Sequence, residues 1–144
     1  MIAHAGLLAR RIEGRWRGVL IEGPSGAGKS DLALRAIDQG FRLVADDRVV
    51  LWTCQGQLYG RAPAALAGLL EVRGLGVVGE PALRFCQVAM VVAPGTPERL
   101  PAPEAVERLG LQLPCLTLPY QEAAAAAKLG RALTALYVAS QRRM

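Results

Sequence analysis

The stretch GPSGAGKSDLALRAIDQGFRLVADD, residues 23–47, holds a glycine-rich loop, a helical pattern and two adjacent aspartates. Its first eight residues match G-x-x-x-x-G-K-[ST], a pattern that this composition would produce by chance on the order of one time in a thousand. The glycines let backbone N–H groups turn inward around an anion, and the dipole of the following helix adds positive charge. The loop is therefore predicted to bind phosphate, a purely structural glycine turn being the alternative. The residues assigned to it are Gly23, Pro24, Ser25, Gly26, Ala27, Gly28, Lys29 and Ser30.

Two residues of this glycine-rich loop, residues 23–30, carry specific chemistry. The Lys29 ammonium can reach the β- and γ-phosphate oxygens of a nucleotide, and the Ser30 hydroxyl can bind Mg²⁺. Lys29 is one of only two lysines in a chain with 17 basic residues. A compact, strongly hydrated point charge at the phosphates explains this exception to the use of arginine.

The aspartates Asp46 and Asp47 follow the next predicted strand, FRLVA, only 17 residues after Lys29. Adjacent residues of a strand point to opposite faces, so the two carboxylates are not expected to do the same work. One could face Mg²⁺ and its waters while the other accepts a proton from an incoming hydroxyl. A turn that merely favours aspartate after a strand is the structural alternative.

Alternating strand and helix patterns predict an α/β fold, with residues 1–144 as one domain. The segment 94–103 contains four prolines and is predicted to be a surface loop rather than a domain linker. The predicted strands are IAHAGLLARR and RWRGVLIE joined at Glu13-Gly14, FRLVA, VVLWTC and QLYGR joined at Gln55-Gly56, LLEVRG, QVAMVVA, and an edge-like LQLPCLTL interrupted by Pro114. The predicted helices are Lys29 to Gln39, a short helix at EAVERL, and Tyr120 to Arg143 with an apolar stripe of Leu129, Leu133, Leu136 and Tyr137.

Composition narrows the class of protein. The chain has 52% hydrophobic and 20% charged residues, no apolar run of the ~18 residues that a membrane span needs, and no secretory signal, so a cytoplasmic protein is expected. Its net charge is +5, but the basic residues are not interleaved with aromatics, which argues against nucleic-acid binding. The three cysteines, Cys54, Cys86 and Cys115, do not have the spacing of a zinc site.

Three further residues admit two interpretations each from chemistry alone. Glu71 and Arg73 in EVRGLGVV share a face if the segment is extended, which suits either a metal-phosphate site or an ordinary surface ion pair. His4, the single histidine, is by default a partly buried strand residue without a catalytic role.

The order of HAGLL, GVLIEGPSGAGKSDLAL, RLVADDRV and APAALAGLLEVRGLGVV, from His4 to Val78, resembles the catalytic domain of HPr kinase/phosphorylase. EVRGLGVV is close to the signature of that family, and the chain is similar to its short, single-domain α-proteobacterial members. The resemblance implies a P-loop domain with a mixed sheet, flanking helices and a C-terminal helix. It also implies an ATP- and Mg²⁺-dependent serine kinase that acts on HPr, the carrier protein of the sugar phosphotransferase system, or on an HPr-like protein. It allows a reverse phosphorylase reaction and a homo-oligomer.

The same resemblance assigns roles to single residues. It makes Asp46 the general base for the substrate serine, with His4 near it and Lys29 at the transferring phosphoryl group. Asp47 and Glu71 belong to the Mg²⁺ side, together with Ser30 of the loop. It also implies that the strand carrying the aspartates lies next to the strand carrying the loop.

Residues 1–144 are expected to lack the N-terminal domain and the basic substrate-side loop of longer members of the family. Two other functions therefore remain open. One is a nucleotide-sensing module without catalysis. The other is a small-molecule kinase, which would need an arginine-bearing lid where this chain has β-rich sequence.

Overall fold

The structure, a computed structural model, describes residues 1–138. The strands in this range are β1 (Ile2–Ala3), β2 (Gly6–Ile12), β3 (Arg15–Ile21), β4 (Arg42–Ala45), β5 (Val49–Cys54), β6 (Gln57–Arg61), β7 (Leu69–Val72), β8 (Gly76–Gly79), β9 (Cys86–Pro94), β10 (Glu104–Arg108) and β11 (Leu111–Leu118). The helices are α1 (Lys29–Ile37), α2 (Ala125–Ala135) and a 3₁₀ turn at Ala64–Leu66.

Nine strands form one mixed sheet in the order β1-β5-β6-β9-β3-β2-β4, with β11 attached to β9 and β10 attached to β11. The β3–β9 and β9–β11 pairs are parallel, whereas the other pairs in this sheet are antiparallel. β7 and β8 form a separate antiparallel hairpin, where the sequence had suggested one extended segment. The predicted α/β class, with a mixed sheet and flanking helices, is confirmed.

The sheet buries an apolar layer on each face because side chains alternate along its strands. Along β2, Leu8 joins the layer under the helices, whereas Leu7 joins the opposite layer. α1 and α2 cover the first layer through Leu32 and Leu129, both fully buried. The second layer is closed by the β5–β6 hairpin, which places Leu51 against the far side of the curled sheet.

The position of β4 corrects one expectation, because β4 does not lie beside β3. β2 lies between them, since the two-residue turn at Glu13-Gly14 folds β2 directly onto β3. β2 is antiparallel to both neighbours, so β3 and β4 run in the same direction. Their carboxyl ends therefore meet at one edge of the sheet, where the parallel strands β9 and β11 also end.

The segment EAVERL is a strand and not the predicted short helix. Its residues have good helix propensity, but β10 pairs along its whole length with β11. The turn between them, Leu109-Gly110, has positive φ values of 48° and 81°. The other two hairpin turns are similar, with 51° and 78° at Glu13-Gly14 and 50° and 74° at Gln55-Gly56. Leu109-Gly110 is thus a two-residue hairpin turn ending in glycine, like the other two. This turn was missed because the residues before it favour a helix. β11 continues through Pro114 and is not an edge strand, because β9 and β10 flank it.

We expect Leu109→Asn to stabilise the protein by about 0.5–1 kcal/mol, because asparagine tolerates the left-handed conformation better than leucine does. The Leu109 side chain is 41% exposed, so little burial is lost. Urea unfolding of both proteins, with an unchanged slope, would give the difference. A loss of stability would show that the Leu109 side chain contributes more by packing than its backbone costs by strain.

The C-terminal helix α2 begins at Ala125, five residues later than predicted, because residues 119–124 turn past the end of the sheet. Leu129 and Leu133 of the predicted stripe are fully buried, whereas Leu136 and Tyr137 lie just beyond the helix and are partly exposed. Arg142 and Arg143 are outside the described residues. Neither α-helix within residues 1–138 has the length and apolar character to cross a bilayer.

Candidate functional site

The glycine-rich loop connects β3 to α1 and folds around the side chain of its own lysine. Lys29 is 9% exposed, and its Nζ donates to the carbonyl oxygens of Gly23 at 2.8 Å and Pro24 at 2.9 Å. Gly28, which caps the N-terminus of α1, has φ 97° and ψ 22°, a left-handed conformation that suits glycine. At Gly23 a Cβ would lie 3.1 Å from the Pro94 ring, so glycine also allows β9 to approach the loop closely.

Asp46 lies directly beside the start of α1. Its Oδ1 accepts a hydrogen bond from the Ser30 hydroxyl at 2.8 Å, and its Oδ2 accepts one from the backbone N–H of Glu71 at 3.0 Å. The residue is only 6% exposed. The parallel ends of β3 and β4 therefore bring together a hydroxyl and a carboxylate that are 16 residues apart in the chain.

Asp47 points elsewhere and remains accessible. Its φ of 69° turns the chain away from the strand direction, and its side chain is 54% exposed. Oδ1 lies 2.9 Å from His4 Nε2, and Oδ2 accepts a hydrogen bond from Arg48 at 3.0 Å. The two aspartates thus separate into a buried and an open position, and His4 contacts Asp47 rather than Asp46.

Glu71 and Arg73 are brought near this edge, but not through their side chains. Glu71 lies on β7 with an exposed side chain, and it contacts Asp46 only through its backbone. Arg73 is exposed in the turn between β7 and β8. Contrary to the expectation from the sequence, Glu71 and Arg73 therefore do not share a strand face. Among residues 1–138, no hydrogen bond or ion pair involves either side chain.

The donor set at Ser30 and Asp46 fits a hard cation such as Mg²⁺, because both groups offer oxygen. No cluster of three or more histidine, cysteine, aspartate or glutamate side chains that could hold a metal occurs in the described part of the chain. One carboxylate and one hydroxyl suit Mg²⁺, which usually keeps several waters and takes one or two carboxylates together with substrate phosphates. The two side chains therefore fit an ion that arrives with a nucleotide.

Several contacts around the loop come from residues that the sequence did not single out. Arg108 of β10 forms an ion pair with Glu22, the residue before the loop, with an Nη2–Oε1 distance of 2.5 Å. Gln121 donates to the Ala27 carbonyl within the loop. Both partners are more than 80 residues away in the chain. No local pattern could have found them, because they depend on the parallel arrangement of β3, β9 and β11.

Comparisons with known proteins show what the chain is similar to. A family model described as the HPr Serine kinase C-terminal domain matches residues 9–83. The HPr kinase/phosphorylase of Clostridium tetani is 52% identical over 66 residues, which is 46% of this chain and 22% of that protein. The corresponding protein of Clostridium beijerinckii is 54% identical over 61 residues, or 42% of this chain and 20% of that protein.

A solved structure resembles the chain over a longer range. The Hpr(Ser) kinase/phosphatase from Coxiella burnetii superposes with a TM-score of 0.74 at 27% identity, covering 90% of this chain and 91% of that one. The alignments with the curated relatives, in contrast, span about a fifth of those proteins' length. Since the family model covers more than half of the 144 residues, the chain belongs to the HPr serine kinase C-terminal domain family.

Proposed function

We propose that this chain is an ATP-dependent serine kinase that phosphorylates HPr or an HPr-like phosphocarrier protein. The observation that carries the proposal is the hydrogen bond between Ser30 and Asp46, which joins the glycine-rich loop to the first of the two adjacent aspartates at one edge of the sheet. The family membership and the names of the relatives support the choice of a protein acceptor. In this proposal residues 1–144 act as one P-loop kinase domain in the cytoplasm.

The nucleotide phosphates are proposed to bind the glycine-rich loop, residues Gly23 to Ser30. The loop offers backbone N–H groups and the N-terminal end of α1, which together favour anions. The Lys29 ammonium already lies inside the loop, on the carbonyls of Gly23 and Pro24. A short movement from these carbonyls would bring it to the transferring phosphoryl group, where its positive charge lowers the barrier.

Ser30 and Asp46 are proposed to hold Mg²⁺ on the nucleotide, directly or through water. When bound, the ion neutralises charge on the β- and γ-phosphates. Asp46 suits this position because it is buried against Ser30 and has both oxygens engaged. Glu71 remains a candidate on the same side, since its backbone already contacts Asp46 and its exposed carboxylate can turn towards the site.

The proton acceptor is proposed to be Asp47, with His4 as its partner. The resemblance had predicted Asp46 for this role, but a general base must be reached by the incoming hydroxyl. The Asp47 carboxylate is open to solvent and is oriented by His4 at 2.9 Å, whereas Asp46 is enclosed. In the reaction the serine oxygen forms a bond to the γ-phosphorus, the bond to the β-phosphate oxygen breaks, ADP leaves, and the serine proton passes to Asp47.

The acceptor protein would approach from the open side, where Asp47 is exposed beside Arg48. Arg73 and the exposed apolar side chains Leu75 and Val77 of the β7–β8 hairpin lie on the segment that contacts Asp46. We propose that this hairpin contributes to the acceptor side. The reverse phosphorylase reaction and a homo-oligomer belong to the same proposal as properties to be measured.

The proposal is tested by intact-protein mass spectrometry of HPr from the same genome after incubation with this protein and Mg·ATP. We expect one added phosphate on a serine, and none when that serine is replaced by alanine. Failure to modify HPr, together with tight ATP binding, would favour the nucleotide-sensing alternative. ATP consumption that depends on a small metabolite and needs no protein acceptor would favour the small-molecule kinase.

A further inference from the structure

The segment Tyr120–Glu122, which we call the strap, is anchored to the base of the glycine-rich loop by its tyrosine. Tyr120 is 1% exposed, and its hydroxyl lies 2.5 Å from the Glu22 carbonyl oxygen and 2.9 Å from that of Val92. Burial raises the pKa of this hydroxyl further above its ordinary value, so it remains a donor. The strap is thus tied to the ends of β3 and β9, where the loop begins.

The second anchor comes from α1, where the loop ends. Arg35 donates through Nη1 to the Glu122 carbonyl at 3.0 Å and through Nη2 to the Tyr120 carbonyl. Its Nε donates to Asp31 at 3.1 Å, one turn earlier on the same helix. The Arg35 guanidinium therefore hydrogen-bonds both to the strap and to its own helix. Both flanks of the loop hold the strap in place.

Between these anchors, Gln121 contacts the loop itself. Its Nε2 donates to the Ala27 carbonyl oxygen at 2.9 Å. A Cβ at position 28 would lie 3.2 Å from this same nitrogen, so the approach also depends on Gly28. The described peptide bonds are all trans, and in a trans peptide the C=O and N–H groups point in opposite directions. Fixing the Ala27 carbonyl against Gln121 therefore turns the Gly28 N–H away from the strap.

We infer that Gln121 is a positioning residue that holds the Ala27–Gly28 peptide with its N–H directed at the nucleotide phosphates. The inference rests on the proposed nucleotide site. It assigns to Gln121 a role exerted through the loop and not through the nucleoside. Gln121 then affects affinity for any ligand that carries the two terminal phosphate groups, whether or not a base is attached.

The test compares Gln121→Met, which keeps length and removes the donor, and Gln121→Ala with the unmodified protein. Gln39→Ala is the matched control, because Gln39 is exposed at the far end of α1. Calorimetric titration with Mg·ADP and separately with Mg·pyrophosphate gives Kd for each protein. Without this hydrogen bond the Ala27–Gly28 peptide must be oriented when the ligand binds, which should raise both constants by about three- to tenfold in the two Gln121 variants. The control should match the unmodified protein in both constants and in Tm, and the two Gln121 variants should lose no more than about 5 °C in Tm without ligand.

Each other outcome has a distinct meaning. If the unmodified protein binds both ligands and the Gln121 variants bind them equally well, the positioning role is wrong while the nucleotide site stands. If only the Mg·ADP constant rises, Gln121 acts on the nucleoside and the inference is also wrong. If the unmodified protein binds neither ligand, the proposed function itself fails and the inference fails with it.

Discussion

Lys29→Ala is expected to reduce phosphoryl transfer by at least about 10²- to 10³-fold while leaving the fold intact. The ammonium is the positive charge inside the loop, and catalysis of phosphoryl transfer depends mainly on positioning and electrostatics. The fold should tolerate its removal, because the two carbonyls that it contacts belong to Gly23, which is partly exposed, and Pro24, which is exposed. Water can replace the ammonium there.

The measurement is the initial rate of HPr phosphorylation by mass spectrometry, together with the Tm of each variant. Lys128→Ala is the matched control, since Lys128 is the other lysine of the chain and forms a surface ion pair with Glu122. We expect its rate to be unchanged and the Tm of Lys29→Ala to stay within about 3 °C. Collapse of the fold in Lys29→Ala would mean that the lysine is structural. Retained turnover would remove it from the mechanism.

Asp47→Asn is expected to lower kcat by about 10²- to 10⁴-fold with little change in Mg·ATP affinity, because the amide cannot accept the serine proton. Asp46→Asn should show a different pattern, with Mg·ATP binding weakened, because the carboxylate beside Ser30 is lost from the proposed metal site. Rates from HPr phosphorylation and Kd values from calorimetry separate these two effects.

Asp38→Asn provides the control for this pair, since Asp38 is exposed at the end of α1, away from the acid pair. The opposite pattern, with full ATP binding but no turnover in Asp46→Asn and an active Asp47→Asn, would restore the role that the family resemblance predicted for Asp46. Equal loss of binding in both variants would show that the two carboxylates form one metal site.

Short stretches of sequence correctly predicted those elements whose structure depends mainly on neighbouring residues in the chain. The glycine-rich loop, helix α1 and the hairpins at Glu13-Gly14 and Gln55-Gly56 were all identified, because each depends on residues close together in the chain. The third turn of this kind, at Leu109-Gly110, was missed because glutamate, alanine and arginine before it favour a helix. Pairing with β11 overrides that propensity, since strand stability depends on neighbours.

The arrangement of the site required the fold. The sequence singled out both aspartates and His4 as candidates, but not that the backbone leaves the strand conformation at Asp47, where φ is 69°. This turn decides which carboxylate meets Ser30 and which meets His4. Gln121 and Tyr120 carry no motif at all. They reach the loop because β11 is parallel to β9, an arrangement that local periodicity does not encode.

The central position of β9 has a consequence for how the protein is made. β3 has only β2 as a sheet neighbour until β9, residues Cys86–Pro94, has been synthesised. Chains emerge from the ribosome N-terminus first, so the strand that leads into the loop spends this interval with one backbone edge unpaired. The matched family segment, residues 9–83, ends before that strand begins. A fragment cut to that segment is therefore expected to aggregate rather than to bind nucleotide, and expression for biochemical work should extend through the strap.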